Sequence, residues 1–227
     1  MKVLKNLVPQ SKWGIKCPYS MKPECVVIHN TYNDASALNE VRYMVSNDNT
    51  VSFHYAVDDR EVVQGIPEDR NSWNAGDGRN GEGNRKGISI EICYSKSGGE
   101  RFLKAERNAA RFTAEILKVY GWGIDRVKKH KDFSGKYCPH RTLDLGWERF
   151  LNMVKKELIV TGKVKEELNV TDRNYYRDKP SSWALKAWEK ASKKGIVDGK
   201  RPKCALTREE FCVVLERLGV LDDERNV

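Results

Sequence analysis

Four segments of the chain have the hydrophobic pattern of β-strands. Residues 24–29 form a mostly apolar run that ends at a histidine, and residues 51–58 and 61–66 are short apolar segments close together in the chain. Residues 87–94 alternate strictly, with isoleucines on one face and Ser89, Glu91 and Cys93 on the other. These patterns predict a buried strand, a hairpin and a further strand with two distinct faces.

Other segments of the chain have the spacing of apolar residues that is typical of α-helices. Apolar residues recur every three or four positions through residues 37–47 and 101–120, and Gly121 and Gly123 end the second of these segments. A third helix is predicted over residues 145–158. Strands mixed with helices in this order predict an α/β domain with a central sheet.

Two segments lack these periodicities. Residues 71–86 form a long loop rich in glycine and asparagine, which in a compact domain is usually functional or disordered. Residues 161–179 are polar and charged, like a linker. They precede a predicted helix at residues 182–194 and a capping box, Thr207-Arg208-Glu209-Glu210, that opens a final helix. We therefore predict a domain at residues 1–158, a linker at 159–179 and a small all-α module at 180–227.

Composition restricts the possible classes of protein. Among 227 residues, 39% are hydrophobic, which is enough for a core, and no apolar run reaches the ~20 residues of a membrane span. Residues 1–9 lack the apolar stretch of a secretory signal, so we expect synthesis and retention in the cytoplasm until something else releases the protein. The six cysteines are then expected to be buried thiols or metal ligands. The net charge of +9 favours anionic polymers, among which nucleic acid, teichoic acid and peptidoglycan all qualify.

Three residues form a candidate metal site. His29 ends a predicted buried strand, and His130 and Cys138 lie on one polar stretch. Two imidazoles and a thiolate would give a tetrahedral zinc with one position left for water, as in catalytic zinc sites. The alternative is a buried free cysteine with a surface histidine, and spacing alone does not decide between them.

Two further residues could supply acid–base and electrostatic chemistry. Glu91 lies on the strand face opposite the isoleucines, where a covered carboxylate is costly unless it is paired or used. Near a metal-bound water it could accept a proton and deliver it to a leaving amine. Lys136 could stabilise an oxyanion. The alternatives are a glutamate on a solvated edge strand and a solvated lysine.

Several separated motifs together resemble the amidase-2 family, the N-acetylmuramoyl-L-alanine amidases with the fold of the peptidoglycan recognition proteins. The motifs are Val27-Ile28-His29-Asn30-Thr31, Phe53-His54-Tyr55, Ile90-Glu91-Ile92 and the segment from His130 to His140. Lys16-Cys17-Pro18-Tyr19 and Ser72-Trp73-Asn74-Ala75-Gly76-Asp77-Gly78 are similar to the endolysins of phages and prophages of Gram-positive hosts. The resemblance covers about residues 1–158 and implies a central mixed β-sheet flanked by helices.

The resemblance also implies roles for individual residues. His29, His130 and Cys138 would bind Zn²⁺, Glu91 would be the catalytic acid and base, and Lys136 would stabilise the transition state. Some members of the family use a tyrosine where this chain has Phe53. Tyr55, expected on the same face, is the candidate substitute, and a catalytic tyrosine stays unassigned.

Three other aromatic side chains have less defined roles. Trp73 could stack on sugar or peptide, or could belong to the core. His54 and His140 are expected to pack or to support the site without binding metal.

The C-terminal segment, residues 180–219, resembles a single S-layer-homology repeat. The matching residues are Trp183-Ala184, Ala187, Gly195-Ile196, Asp198-Gly199, Pro202, Leu206-Thr207-Arg208 and Phe211. This family usually binds secondary cell-wall polymers through several copies, whereas one copy is found here. Self-association into a homodimer is therefore an alternative role.

Together these features predict a zinc-dependent endolysin that cleaves the bond between N-acetylmuramic acid and L-alanine. Its partner would be peptidoglycan, with neither nucleic acid nor a membrane as a target. A peptidoglycan-binding protein without activity and a host autolysin or spore amidase are the alternatives. A nucleic-acid binder would instead show steep salt-dependent retention on DNA.

Overall fold

The computed structural model describes residues 2–160, 185–197 and 208–218. The chain divides into two compact units, Met1–Lys163 and Val164–Val227.

The first unit is built on a six-stranded sheet. The strands are β1 (Val3–Lys5), β2 (Cys25–Asn30), β3 (Tyr55–Val57), β4 (Val62–Gln64), β5 (Gly87–Ile92) and β6 (Val127–Lys129). Their order across the sheet is β1-β4-β3-β5-β2-β6. The β3–β4 hairpin is antiparallel, and the other four strand pairs are parallel. The predicted α/β fold with a central mixed sheet is thereby confirmed.

Over residues 2–160, the first unit has seven α-helices. They are α1 (Trp13–Lys16), α2 (Ala37–Ser46), α3 (Glu82–Lys86), α4 (Gly99–Tyr120), α5 (Lys131–Ser134), α6 (His140–Asp144) and α7 (Trp147–Val160). The helices predicted over residues 37–47 and 101–120 are α2 and α4. Gly121 ends α4 in the left-handed conformation, with φ of 69°, as its position after the last apolar residue predicted.

The two faces of the sheet have different surroundings. Tyr55 contacts Phe112 of α4, with ring centroids 4.8 Å apart, and the register places Tyr55 opposite Ile90. Ile28 and Ile90 are fully buried, and burying such a side chain contributes about 1.5–3 kcal/mol. Successive side chains of a strand point to opposite faces, so His29 in β2 and Glu91 in β5 lie on the other face of the sheet.

Several predicted boundaries are wrong for identifiable reasons. The strand predicted over residues 51–58 begins only at Tyr55, because the Ser52 carbonyl accepts a hydrogen bond from the Trp73 amide and not from a strand. The third helix begins at Trp147, since Gly146 has a φ of 104° and separates α6 from α7. The long loop at residues 71–86 contains α3. The Asp77 carboxylate caps the first turn of this helix by accepting hydrogen bonds from the amides of residues 83 and 84.

The second unit contains two described helices, α8 (Leu185–Lys193) and α9 (Arg208–Arg217). They correspond to the two helices predicted for the C-terminal module. The predicted linker at 161–179 and Thr207 of the predicted capping box lie outside the described residues. Phe211, Val213 and Leu218 are exposed apolar side chains. Over the described ranges, every helix is too short or too polar to span a bilayer.

Candidate metal centre and active site

Parallel strand pairing brings the three candidate metal ligands together. His29 is near the end of β2, and His130 follows the adjacent strand β6, where its amide donates to the Ile28 carbonyl at 3.2 Å. Cys138 lies before α6, and its carbonyl accepts from the Lys131 amide at 3.0 Å. One potential ligand atom from each of the three residues lies within 4.8 Å of the others, and all three residues are buried. The carboxyl ends of parallel strands are a common location for such sites.

The protonation states suit a metal cation. Burial lowers the pKa of His130 to about 4 and that of His29 well below its usual value, and the charge of Lys136 adds to both effects. Both imidazoles are therefore neutral near pH 7. Burial, with the nearby Glu91, raises the pKa of the Cys138 thiol to about 12, so a metal would have to displace its proton.

The separation of the ligand atoms also fits a metal. The Nδ1 atoms of His29 and His130 are 3.1 Å apart. Two nitrogens bound tetrahedrally to zinc at about 2.0–2.1 Å would be about 3.3 Å apart. The Nε2 atoms of both rings are buried, and neither has a hydrogen-bond partner among the described residues. His29, His130 and Cys138 are thus able to hold a metal ion and form a candidate metal-binding group.

Glu91 lies beside the metal-binding group. It is opposite His29 in the β2–β5 register, and its Oε1 is 4.0 Å from the His29 Nδ1. The Asn74 side-chain amide donates to the same oxygen at 3.1 Å. Burial raises the pKa of Glu91 to about 7, and the bond from Asn74 limits the rise. A carboxyl group with this pKa can both accept and release a proton near neutral pH.

A cleft of about 900 Å³ opens over these residues. His29, Glu91, His130 and Cys138 line it, together with Lys136 and Trp73. Lys136 is exposed, so its ammonium can approach a bound substrate. The half-buried Trp73 also contacts Tyr19 edge to face, with centroids 6.0 Å apart.

The expectation that Tyr55 shares a face with Phe53 is wrong. Phe53 lines the cleft, but it precedes β3, so the two-residue period of a strand does not relate the two side chains. Tyr55 packs on the α4 side of the sheet, and its hydroxyl donates to Glu68 at 2.7 Å. This places its side chain away from the metal-binding group.

The two remaining histidines are outside the metal-binding group. His54 is buried between the Ser89 amide, which donates to its Nδ1 at 3.0 Å, and the Arg70 carbonyl, which lies 2.8 Å from its Nε2. The ring of His140 packs against Tyr32, with centroids 4.8 Å apart. No local pattern distinguishes Asn74, which lies next to Trp73 in the loop at residues 71–86 that the sequence predicts to be functional or disordered.

Comparison with protein families gives a match over residues 19–141 to the model described as N-acetylmuramoyl-L-alanine amidase. The matched region includes all three candidate ligands, Glu91 and Lys136. The chain belongs to the N-acetylmuramoyl-L-alanine amidase family.

Individual relatives agree with this assignment. The chain is 50% identical over 203 residues to the N-acetylmuramoyl-L-alanine amidase CwlA of Bacillus subtilis, covering 89% of this chain and 74% of CwlA. It is 57% identical over 157 residues to the amidase XlyB of the same organism, covering 69% of this chain and only 50% of XlyB. The solved structure of PlyL is 55% identical and superposes with a TM-score of 0.66, covering 68% of this chain and 97% of PlyL. At least half of the aligned residues are thus identical between this chain and each of these three proteins.

Proposed function

We propose that this amidase is a zinc-dependent, endolysin-type peptidoglycan hydrolase. It would cleave the amide bond between N-acetylmuramic acid and L-alanine. The observation that carries the proposal is the buried group of His29, His130 and Cys138 with Glu91 beside it, on a cleft large enough for a substrate. A protein that only recognised peptidoglycan would have no need of three potential metal ligands with a buried carboxyl beside them.

The same three residues would hold the metal. When bound, zinc lowers the pKa of a coordinated water and polarises the carbonyl of the lactyl amide. Thiolate and neutral imidazole ligands are typical of zinc, and three protein ligands leave one coordination position open.

Glu91 and Lys136 would carry out the proton transfers and the charge stabilisation. Glu91 takes a proton from the attacking water while the water oxygen forms a bond to the amide carbon. The Lys136 ammonium donates to the oxygen that becomes negative in the tetrahedral state. Glu91 then returns the proton to the alanine nitrogen as the carbon–nitrogen bond breaks. The products are a lactyl carboxylate and a peptide with a free alanine amino group.

Trp73 is the proposed substrate contact. Its indole lines the cleft and is held in place by Tyr19, so the exposed part of the ring can stack on a sugar or a peptide group. The Trp73→Ala variant is then expected to raise KM on cell walls more than it lowers kcat.

The chemical identity of the cleavage is tested on purified cell walls, with and without a zinc chelator. The proposal predicts new alanine amino termini without new reducing sugar ends, and their loss on chelation. Cys138→Ser should abolish both zinc binding and activity, whereas Cys93→Ser, at a buried cysteine outside the group, should retain both. Release of reducing sugars would instead indicate a glycosidase.

For the second unit, we propose that residues 180–219 act as an S-layer-homology-like module. It would bind a secondary cell-wall polymer, or it would pair two chains in a homodimer. Three exposed apolar side chains support a role in binding or association: Phe211 and Val213 of α9, and Leu218, which follows it. Sedimentation of the chain, and its retention on walls with and without their secondary polymer, distinguish the two roles. Wall residence would follow release from the host cytoplasm at lysis.

A further inference from the structure

The catalytic proposal leaves open what holds the Glu91 carboxylate in place. Asn74 is the described residue that hydrogen-bonds to it: the Asn74 Nδ2 donates to Glu91 Oε1 at 3.1 Å and to the Ser89 hydroxyl at 2.6 Å. Glu91 Oε2 is buried, and within the described part of the chain it has no hydrogen-bond partner. The two oxygens of this carboxylate are therefore inequivalent.

Asn74 is itself fixed by a buried side chain on α3. Asn84 is 4% exposed, and its Oδ1 accepts from the backbone amides of Asn74 at 3.1 Å and Ala75 at 2.9 Å. Its Nδ2 donates to the Gly78 carbonyl at 3.0 Å. The short helix that carries Asn84 is capped by Asp77 from the same loop. The Ser72 amide also donates to the Asn84 carbonyl at 3.2 Å, so the loop is tied to α3 on both sides of Asn74. The position of the Asn74 side-chain amide is therefore set before substrate binds.

We propose that Asn74 is a positioning residue that holds the Glu91 carboxylate beside the metal-binding group through Oε1, the oxygen that lies 4.0 Å from the His29 Nδ1. The inference rests on the proposed function of Glu91. A side-chain amide suits this task because its N–H group donates in both protonation states of the glutamate and does not itself take up the proton. Ser89 accepts the second amide proton and so fixes the orientation of the amide group.

Removal of the amide should affect catalysis more than binding of metal or substrate. Loss of a residue that orients a catalytic group typically costs about 10- to 100-fold. Asn74→Ala is therefore expected to lower kcat on soluble muramyl peptides about 10- to 100-fold, with KM changed less than about threefold. Zinc content should stay equal to that of the wild type.

Asn74→Asp is the more stringent variant because it keeps the size and shape of the side chain. It replaces the donor by a second carboxylate facing Glu91, so kcat should fall at least as far as in Asn74→Ala. Asn108→Ala is the control, because the Asn108 side-chain amide also donates a hydrogen bond, to the Asp58 carbonyl, but lies outside the cleft. Its kcat should equal that of the wild type.

A double-mutant cycle tests whether Asn74 acts through Glu91. In the Glu91→Ala background, adding Asn74→Ala should leave the residual rate unchanged, because the group that Asn74 positions is already gone. If Asn74→Ala lowered the rate in that background by the same factor as in the wild type, Asn74 would have a role independent of Glu91 and the inference would be overturned.

The remaining outcomes separate this inference from the proposed function. No alanine release by the wild type, or full activity of Glu91→Ala, would contradict the proposed function itself. A wild-type kcat in zinc-loaded Asn74→Asp, with Glu91→Ala inactive, would overturn only the role of Asn74. Loss of zinc from both Asn74 variants would also overturn it, because Asn74 would then act on the metal site.

Discussion

The buried His54 predicts a specific dependence of stability on pH. Burial lowers the pKa of His54 from about 6.5 to about 4. Its Nδ1 accepts the Ser89 amide proton, so the folded protein holds the ring in the neutral Nε2–H form. A proton added to Nδ1 would face another donor. The unfolded chain, by contrast, binds a proton on this side chain as soon as the pH falls below about 6.5.

The sign and the magnitude follow from linkage. Above about pH 6.5 the ring is neutral in both states, and the contribution of His54 to stability is fully present. It is lost as the pH falls towards about 4, because only the unfolded state takes up the proton in that range. The difference between about 6.5 and about 4, at about 1.4 kcal/mol per pH unit, amounts to about 3 kcal/mol.

Comparison of the wild type with His54→Asn isolates this contribution, since other titrating groups are common to both proteins. The free energy of unfolding is measured by urea denaturation from about pH 7 to about pH 4, with a chelator present so that metal release does not contribute. The stability advantage of the wild type should shrink by about 3 kcal/mol over this range. An advantage that stays constant to within about 1 kcal/mol would refute the buried, neutral state of His54.

Three further variants test other parts of the fold and site. Arg149→Met removes the cation that lies 2.5 Å from the fully buried Glu106 carboxylate, and should lower the free energy of unfolding by about 2–3 kcal/mol in urea titrations. Gly76→Ala places a methyl group 3.1 Å from the His130 Nε2 at a φ of 72°, and should weaken zinc affinity about tenfold in competition with a chromophoric chelator. Lys136→Met should lower kcat about 100-fold with zinc retained, whereas Lys131→Met should have little effect.

The main features of the fold and the candidate site could be predicted from the sequence. The apolar run before His29 and the alternation around Glu91 predict two strands, and parallel pairing then places these two residues opposite each other. Glu91 alternates with the isoleucines along the strand, and this alternation predicts that it lies on the opposite face from them. The roles proposed for these residues depend on the resemblance of several motifs and not on spacing.

Other features depend on tertiary contacts that leave no local pattern. Strands β1 and β6 have three residues each, too few to show a period. The two-residue period of a strand predicts the wrong face for the Tyr55 side chain, because the segment before Tyr55 is not a strand. The bond from Asn74 to Glu91 joins a loop to a strand 17 positions later in the chain, and no spacing rule relates such residues.

The most direct test compares purified wild-type protein with Glu91→Ala for bound zinc and for release of new alanine amino termini from cell walls. We expect about one zinc per chain in both proteins, because Glu91 is not among the three ligands, and alanine release by the wild type alone. Zinc without release from any wall would favour a recognition protein, and absence of zinc from the wild type would contradict the assignment of the site.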